Sequence, residues 1–299
     1  MIYNNIRETI GKTPTIHYHT INQSKIYLKL EMFNPGGSVK DRIALEMIEA
    51  LWRDGIINEN STVVEATSGN TGIGLALVLA SYGLRFVAIM PDNMSKERID
   101  LMKAYGAEIL LTPAAKGIAY SKELAIELAN TKGYVYLDQF SNPNNPVAHM
   151  RTTANELLAD FPQGIDYLVA GIGTGGSITG LSRILKKQFP MMRSIAVEPF
   201  ESAVLSGEPK GPHMIPGIGA GFVPVNYDAS LVDGIIKIKS EDARKKVNLL
   251  AKKGLFLGVS SGAAILAAEE LAEKHPGKVI VTIAPDGGIK YMSLGIYGL

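Results

Sequence analysis

Lys40 occupies a position that helix stability alone would give to another residue. It lies in Asn34–Arg42, NPGGSVKDR, a loop entering a helix that is expected to continue to about Trp52. Ser38 is the expected N-cap, and Asp41 completes an S-x-x-D capping pattern, which puts Lys40 in the first turn. A cation there opposes the helix dipole, where an acid would normally be preferred. The same field, together with burial, lowers a lysine's pKa and raises the fraction of neutral amine. A neutral amine is what Schiff-base chemistry requires. The plain alternative is a solvated surface lysine. The glycine pair before Lys40 and Arg42 after it favour the chemical role.

Two further loops are built for anions. Thr67–Gly72, TSGNTG, links the expected strand Thr62–Glu65 to a helix beginning near Thr71. Its hydroxyls, its amide and its two glycines suit a carboxylate or a phenolic oxygen at a helix N-terminus. A plain strand-to-helix turn needs only one Asn or Ser as a cap. Gly171–Gly180, GIGTGGSITG, follows the apolar run Tyr167–Ala170 and opens a helix. Clustered glycines let backbone N–H groups converge on an anion, and the helix end adds a favourable partial charge, so a phosphate site is expected. A glycine-rich turn needed only for packing is the bland reading. Gly171, Gly173 and Gly176 also fit the dinucleotide pattern G-x-G-x-x-G, with Glu198 ending the next strand about where a ribose-binding acid belongs. That rival, a nicotinamide-dependent oxidoreductase, leaves the other two loops without a role.

The elements that must hold these loops are legible as short apolar runs alternating with helical patterns from about residue 26 onward. Strands are expected at Ile26–Leu30, Thr62–Glu65, Arg85–Met90, Glu108–Thr112, Tyr134–Leu137, Tyr167–Ala170, Ser194–Val197, Ile235–Ile238 and Val279–Ala284. Most are β-branched or continuously apolar, as in strands covered on both faces. Ser95 and Ser240 precede helical runs ending near Gly106 and at Lys253, the latter with Gly254 just beyond. This alternation predicts parallel, doubly wound α/β sheets, whose ligands bind beyond the carboxyl ends of the strands. Ser206–Pro224 is rich in Gly and Pro without strand or helix period, the pattern of a lid or binding loop.

Bulk properties narrow the classes. With 299 residues the chain makes one large or two modest domains, and 46% hydrophobic with 20% charged residues is ordinary globular composition. A net charge of +1 gives no electrostatic footprint for nucleic acid or an anionic membrane. With no cysteine, disulfides and thiolate metal sites are excluded. The five histidines lack ligand spacing; His17 and His19 are expected on one exposed strand face. The polar start and the shortness of Ile73–Ala80 argue against a signal peptide and a membrane span, and a cytoplasmic location is expected.

In this order and spacing NPGGSVKDR, TSGNTG and GIGTGGSITG resemble the cysteine synthase (O-acetylserine sulfhydrylase) group of the cystathionine β-synthase family, which are fold-type II pyridoxal phosphate (PLP) enzymes. IGKTP at Ile10–Pro14, QFSNPNNP at Gln139–Pro146, GPHMIPGIGAGF at Gly211–Phe222 and GVSSGAA at Gly258–Ala264 extend the resemblance over nearly the whole chain. The resemblance implies two doubly wound domains, residues 35–145 and residues 1–34 with 146–299, with the active site between them. The chain runs little past Tyr291, so haem-binding and regulatory extensions are not expected.

The resemblance also implies roles. Lys40 is the Schiff-base lysine that moves the Cα proton, and Asn70 bonds the PLP 3′-oxygen. Gly173, Thr174, Gly175, Gly176 and Ser177 cradle the phosphate, and Ser260 faces the pyridine nitrogen. Thr67, Ser68, Gly69, Thr71 and Gln139 receive the substrate carboxylate, and Gly217 and Gly219 belong to a substrate-contacting loop. A serine at the ring nitrogen does not enforce its protonation, so the cofactor is a weaker electron sink suited to eliminating a good β-leaving group. The implied reaction makes L-cysteine from O-acetyl-L-serine and sulfide through a bound aminoacrylate. The alternatives are an O-acetylserine-dependent cystathionine β-synthase, an enzyme releasing hydrogen sulfide from cysteine or forming lanthionine, and a non-catalytic relative that binds a partner. Lys12, where the family often has Asn, and PDGGIKY at Pro285–Tyr291 depart from many sulfhydrylases and put the choice of sulfide or a larger thiol at issue. A homodimer and docking of a serine acetyltransferase C-terminal tail are expected from the resemblance only.

Overall fold

A computed structural model describes residues 2–297. Along the chain come β1 (Thr15–Ile21), β2 (Ser24–Leu30), α1 (Lys40–Arg53), β3 (Thr62–Ala66), α2 (Asn70–Tyr82) and β4 (Arg85–Pro91). Next are α3 (Lys96–Ala104), β5 (Glu108–Thr112), α4 (Gly117–Lys132), β6 (Val135–Tyr136), α5 (Asn144–Arg151) and α6 (Thr153–Asp160). Then follow β7 (Tyr167–Gly171), α7 (Gly176–Gln188), β8 (Arg193–Pro199), β9 (Gly234–Ile238), α8 (Ser240–Ala251), α9 (Val259–Lys274) and β10 (Val279–Ala284).

Two compact units result. One takes the chain up to Ile10 and Asn34–Asn145; the other takes Gly11–Phe33 and the chain from Pro146 on. The first ten residues, expected with the larger unit, group with the smaller. Arg7 explains this, since its guanidinium donates to the carbonyl and hydroxyl of Ser81 and lies 3.9 Å over the Tyr82 ring.

The smaller unit carries a parallel sheet in the order β5-β4-β3-β6. All five residues of β3 are buried, which is why its TVVEA run shows no polar alternation. The winding goes from β3 outward to β4 and β5, then returns to β6 on the other side. The strand order therefore reverses between β3 and β6, which is where such a sheet leaves a crevice. TSGNTG follows β3, and Gln139 follows β6.

The larger unit has the order β1-β2-β10-β7-β8-β9, parallel except for β1. Apolar clusters cover both of its faces, one with Val259, Ala263 and Ile265 of α9, the other with Ile178, Leu181 and Leu185 of α7. Here the reversal falls between β7 and β10, and GIGTGG follows β7.

Strand β1 was expected only as the strand that carries His17 and His19, with no bounds of its own. Its TIHYHTI sequence has no apolar run, it lies at a sheet edge, and its turn uses Asn22 and Gln23 at φ 47° and 65° in place of the usual Asn-Gly. A β-bulge between His17 and His19 interrupts the alternation that would have put the two exposed rings on one face. No helix among the described residues is long and apolar enough to cross a membrane.

Gly180 shows how tightly the larger unit positions its loop. A Cβ there would lie 2.3 Å from the Pro146 carbonyl oxygen and 2.9 Å from His149 Cβ, so α7 rests directly on α5. Backbone cannot yield cheaply, and Gly180→Ala is expected to cost ~2 kcal/mol, the middle of the overpacking range. The check is the urea midpoint of the variant; an unshifted midpoint would show that α5 and α7 slide apart freely.

Candidate active-site loops

In the smaller unit α1 begins at Lys40 itself, so Ser38 lies outside the cap position, which Val39 fills without a side-chain bond. Ser38 Oγ still accepts the Lys40 N–H at 3.2 Å. Asp41 does not close a capping box on Ser38. Its carboxylate accepts the Gly36 N–H at 2.5 Å, and a Cβ at Gly36 would lie 2.6 Å from Asp41 Oδ1. The glycine pair is thus folded onto a buried carboxylate, and the lysine that follows is fixed at the helix start. Gly74 of α2 lets that helix approach, since a Cβ there would lie 3.1 Å from the Lys40 carbonyl oxygen.

The carboxylate loop enters α2 with Gly69 at the cap, no side-chain cap bond and no acid in the first turn. Such an end leaves N–H groups for an external anion. Thr67 Oγ1 takes one of them, the Gly72 N–H at 3.2 Å. A Cβ on Gly69 would meet nothing within 4 Å, so the space above this helix end is open. Thr71 donates its hydroxyl to Gln139 Oε1 at 2.6 Å, tying the loop after β3 to the loop after β6. Ser68, Gly69 and Asn70 are half-buried beside them. Behind Gln139 stands Glu65, a residue the sequence did not single out. Burial raises its pKa to about 8; N–H groups of Gln139 and Asp138 pull the other way, and the Asp138 carboxylate adds to the rise.

In the larger unit Gly175 caps α7 in the left-handed region at φ +80°. A Cβ there would lie 2.7 Å from Tyr227 Cβ, and one on Gly173 would lie 2.2 Å from the Gly217 carbonyl oxygen. Neither the cap nor the first turn of α7 supplies an acid or a side-chain cap bond. Ser177 Oγ lies 3.0 Å from His149 Nε2, and His149 Nδ1 lies 3.0 Å from Thr153 Oγ1, so a buried imidazole sets the serine. His149 belongs to no motif in the sequence; its spacing of four from Thr153 on a helix is the signal it carries.

Gly217 and Gly219 come to the same place. The Gly219 N–H donates to the Ile172 carbonyl at 2.9 Å, and Gly217 faces Gly173 as above. A Cβ on Gly217 would lie 3.9 Å from Ser260 Oγ, at the start of α9. Within this unit the structure therefore brings together Gly173–Ser177, Gly217–Gly219 and Ser260. Glu198, the ribose ligand of the dinucleotide reading, is fully engaged elsewhere: it accepts the Leu205 N–H at 2.8 Å, the Ser206 N–H at 3.1 Å and the Ser206 hydroxyl at 2.5 Å.

A phosphate monoester fits this cradle. The glycines bar side chains from the loop, the helix end is uncapped, and a hydroxyl is held at its first turn. The family description "Pyridoxal-phosphate dependent enzyme" matches residues 6–286, and the chain belongs to that family. It is a PLP-dependent enzyme. The cysteine synthase of Staphylococcus aureus (strain Mu50 / ATCC 700699) is 46% identical over 98% of this chain and 96% of its own length. The crystal structure of O-acetyl serine sulfhydrylase isoform 3 from Entamoeba histolytica is 43% identical and covers all of this chain and 92% of its own, with a TM-score of 0.96. The O-acetylserine dependent cystathionine beta-synthase from Helicobacter pylori is 39% identical over 99% of each chain, with a TM-score of 0.94.

Proposed function

We propose that this enzyme makes L-cysteine from O-acetyl-L-serine and sulfide by β-replacement. The observation that carries the reading is the uncapped start of α2, where Thr71 is bonded to Gln139 under open space at Gly69. An amino-acid carboxylate suits that receiver. The curated relative named above is a cysteine synthase, which supports the substrate pair.

Bound PLP supplies the electron sink that makes the Cα proton removable. Lys40 Nζ holds the cofactor between turnovers and takes that proton. Gly173, Thr174, Gly175, Gly176 and Ser177 bind the phosphate, with His149 orienting the Ser177 hydroxyl. Asn70 orients the ring through its 3′-oxygen. Ser260 would face the ring nitrogen as a neutral hydroxyl, which does not enforce protonation there. Thr67, Ser68, Gly69, Thr71 and Gln139 hold the carboxylate, while Gly217 and Gly219 line the approach. The same reading makes the protein a cytoplasmic homodimer able to receive a serine acetyltransferase tail.

A second reading, homocysteine as the incoming thiol, is supported by the likeness to the O-acetylserine dependent cystathionine beta-synthase named above. Asp286 in the departing PDGGIKY segment is buried, takes the Tyr291 hydroxyl at 2.5 Å, and would lie 2.0 Å from a Cβ on Gly258. This places a buried carboxylate against Gly258, the cap of α9, in the segment that departs from many sulfhydrylases. Steady-state kinetics with O-acetylserine against sulfide, homocysteine and cysteine decide between them. Sulfide is expected to give the highest kcat/KM; a preference for homocysteine would replace the first reading with the second.

A further inference from the structure

We propose that Glu65 is a positioning residue for the substrate carboxylate, working as a neutral acid whose ionisation loosens the substrate's hold. This rests on the reading of Thr67–Thr71 and Gln139 as the carboxylate receiver. Glu65 lies near the end of β3, two residues before Thr67, and is 1% exposed. Its Oε1 faces both the backbone N–H and the side-chain amide of Gln139 at 3.5 Å, the outer limit of hydrogen bonding. Its Oε2 is buried without a hydrogen-bond partner among the described residues.

An amide has one acceptor end and one donor end. With Gln139 Nε2 turned to Glu65, Oε1 is turned to the Thr71 hydroxyl, and Asn145 Nδ2 holds the Gln139 carbonyl at 2.8 Å. The chain Glu65–Gln139–Thr71 therefore sets the donor pattern at the start of α2 from behind. Removing the acceptor at position 65 frees Gln139 to flip and present its amide to Thr71.

The charge of Glu65 matters because of what surrounds it. Ala88, its neighbour on β4, brings none. The Asp138 carboxylate beyond β6 is the titratable group that acts on it, while the Tyr136 phenol on β6 is itself raised by burial and by the Glu65 charge. Lys122 of α4 is the cation of this network, and it pairs with Asp138 at 3.2 Å. Asp138 also takes the Ser141 hydroxyl at 2.7 Å. Among the described residues no cation is paired with Glu65, so burial decides, and the acid stays protonated up to about pH 8. A neutral acid leaves the approaching carboxylate unopposed. Above pH 8 the anion repels it through Gln139.

The test is the KM for O-acetylserine between pH 7 and pH 9 in wild type and Glu65→Gln, which keeps shape and removes the titration. The substrate amine titrates identically in both, so the ratio of the two KM values isolates Glu65. Wild-type KM is expected to rise on the order of tenfold more than that of E65Q, with kcat changing alike in both. Turnover with a constant KM ratio overturns this inference alone; no turnover of O-acetylserine by wild type removes the proposed function as well. A second measurement does not depend on the variant folding. In wild type labelled with carbon-13 glutamate, the infrared band of a protonated carboxylic acid should disappear with a midpoint near pH 8, and a band absent at pH 7 overturns the inference.

Discussion

A Lys40→Ala protein is expected to keep its fold and lose its chemistry. α1 is held by Ile43, Ala44, Met47 and Ile48, all fully buried, and by the Gly74 contact with the Lys40 backbone, none of which involves the lysine side chain. Alanine is also the better residue for a first helical turn, because it removes a cation from the positive end of the dipole. The melting temperature should therefore be unchanged or slightly higher. Turnover, in contrast, loses the covalent anchor and the proton carrier that we propose Lys40 to be, and should fall on the order of 10³-fold or more. The purified wild-type enzyme should be yellow from its Schiff-base absorbance, and the variant should lack that visible band. An unchanged visible band would mean that another amine carries the cofactor, and the reading of Lys40 would be wrong.

Gly173→Ala should damage the cofactor site with comparable force by a different route. Its Cβ would lie 2.2 Å from the Gly217 carbonyl oxygen, which belongs to backbone and not to the yielding end of a side chain. Either the Gly173–Ser177 loop or the Gly217–Gly219 loop must move, and both border the proposed phosphate site, with Gly217 also close to Ser260. Overpacking of this kind costs ~1–3 kcal/mol in stability. The displaced N–H groups should weaken PLP binding by on the order of 100-fold, about 2.7 kcal/mol. Cofactor titration of the apo-protein measures the second effect, and thermal melting the first. Gly207→Ala supplies the control: its φ is +82° but a Cβ would meet nothing within 4 Å, so only left-handed backbone strain is added. If the two variants bind PLP alike, the close approach at Gly173 is without consequence for the cradle.

The starts of the helices were legible from their serines, but the serines do not act as expected. Ser38, Ser95 and Ser240 each fall within two residues of a helix start, and none of those caps has a side-chain bond. Ser95 donates to the Glu97 carboxylate at 2.8 Å. At Ser240 the cap comes from outside, with the Glu201 carboxylate accepting both its N–H at 2.8 Å and its hydroxyl at 3.0 Å. Local pattern marks where a helix begins, but a distant chain segment can supply the partner. The same distinction separates what was seen in the candidate site from what was missed. Glycine-rich loops announce themselves because their backbone needs are local, as at Gly175. Glu65 and His149 carry no such mark. An acid in a buried strand and a histidine in a helix acquire their roles only when β6 or α7 is brought beside them. The bounds of β1 were not legible for a related reason: its pairing with β2 supplies what its composition lacks.

The place of β10 has a consequence for how the protein is made. The strand lies between β2 and β7 in its sheet, yet it is the last of the ten along the chain. β2 ends at Leu30 and β10 begins at Val279, so a ribosome adding ~5–20 residues per second leaves β2 without its parallel neighbour for on the order of ten seconds or more. The smaller unit, whose four strands all lie between Thr62 and Tyr136, can complete its sheet on the ribosome during that interval. The larger one must wait with two open sheet edges, at β2 and at β7, which are the surfaces that invite pairing with other nascent chains. Closure comes in a single late step, when β10 fills the gap between them.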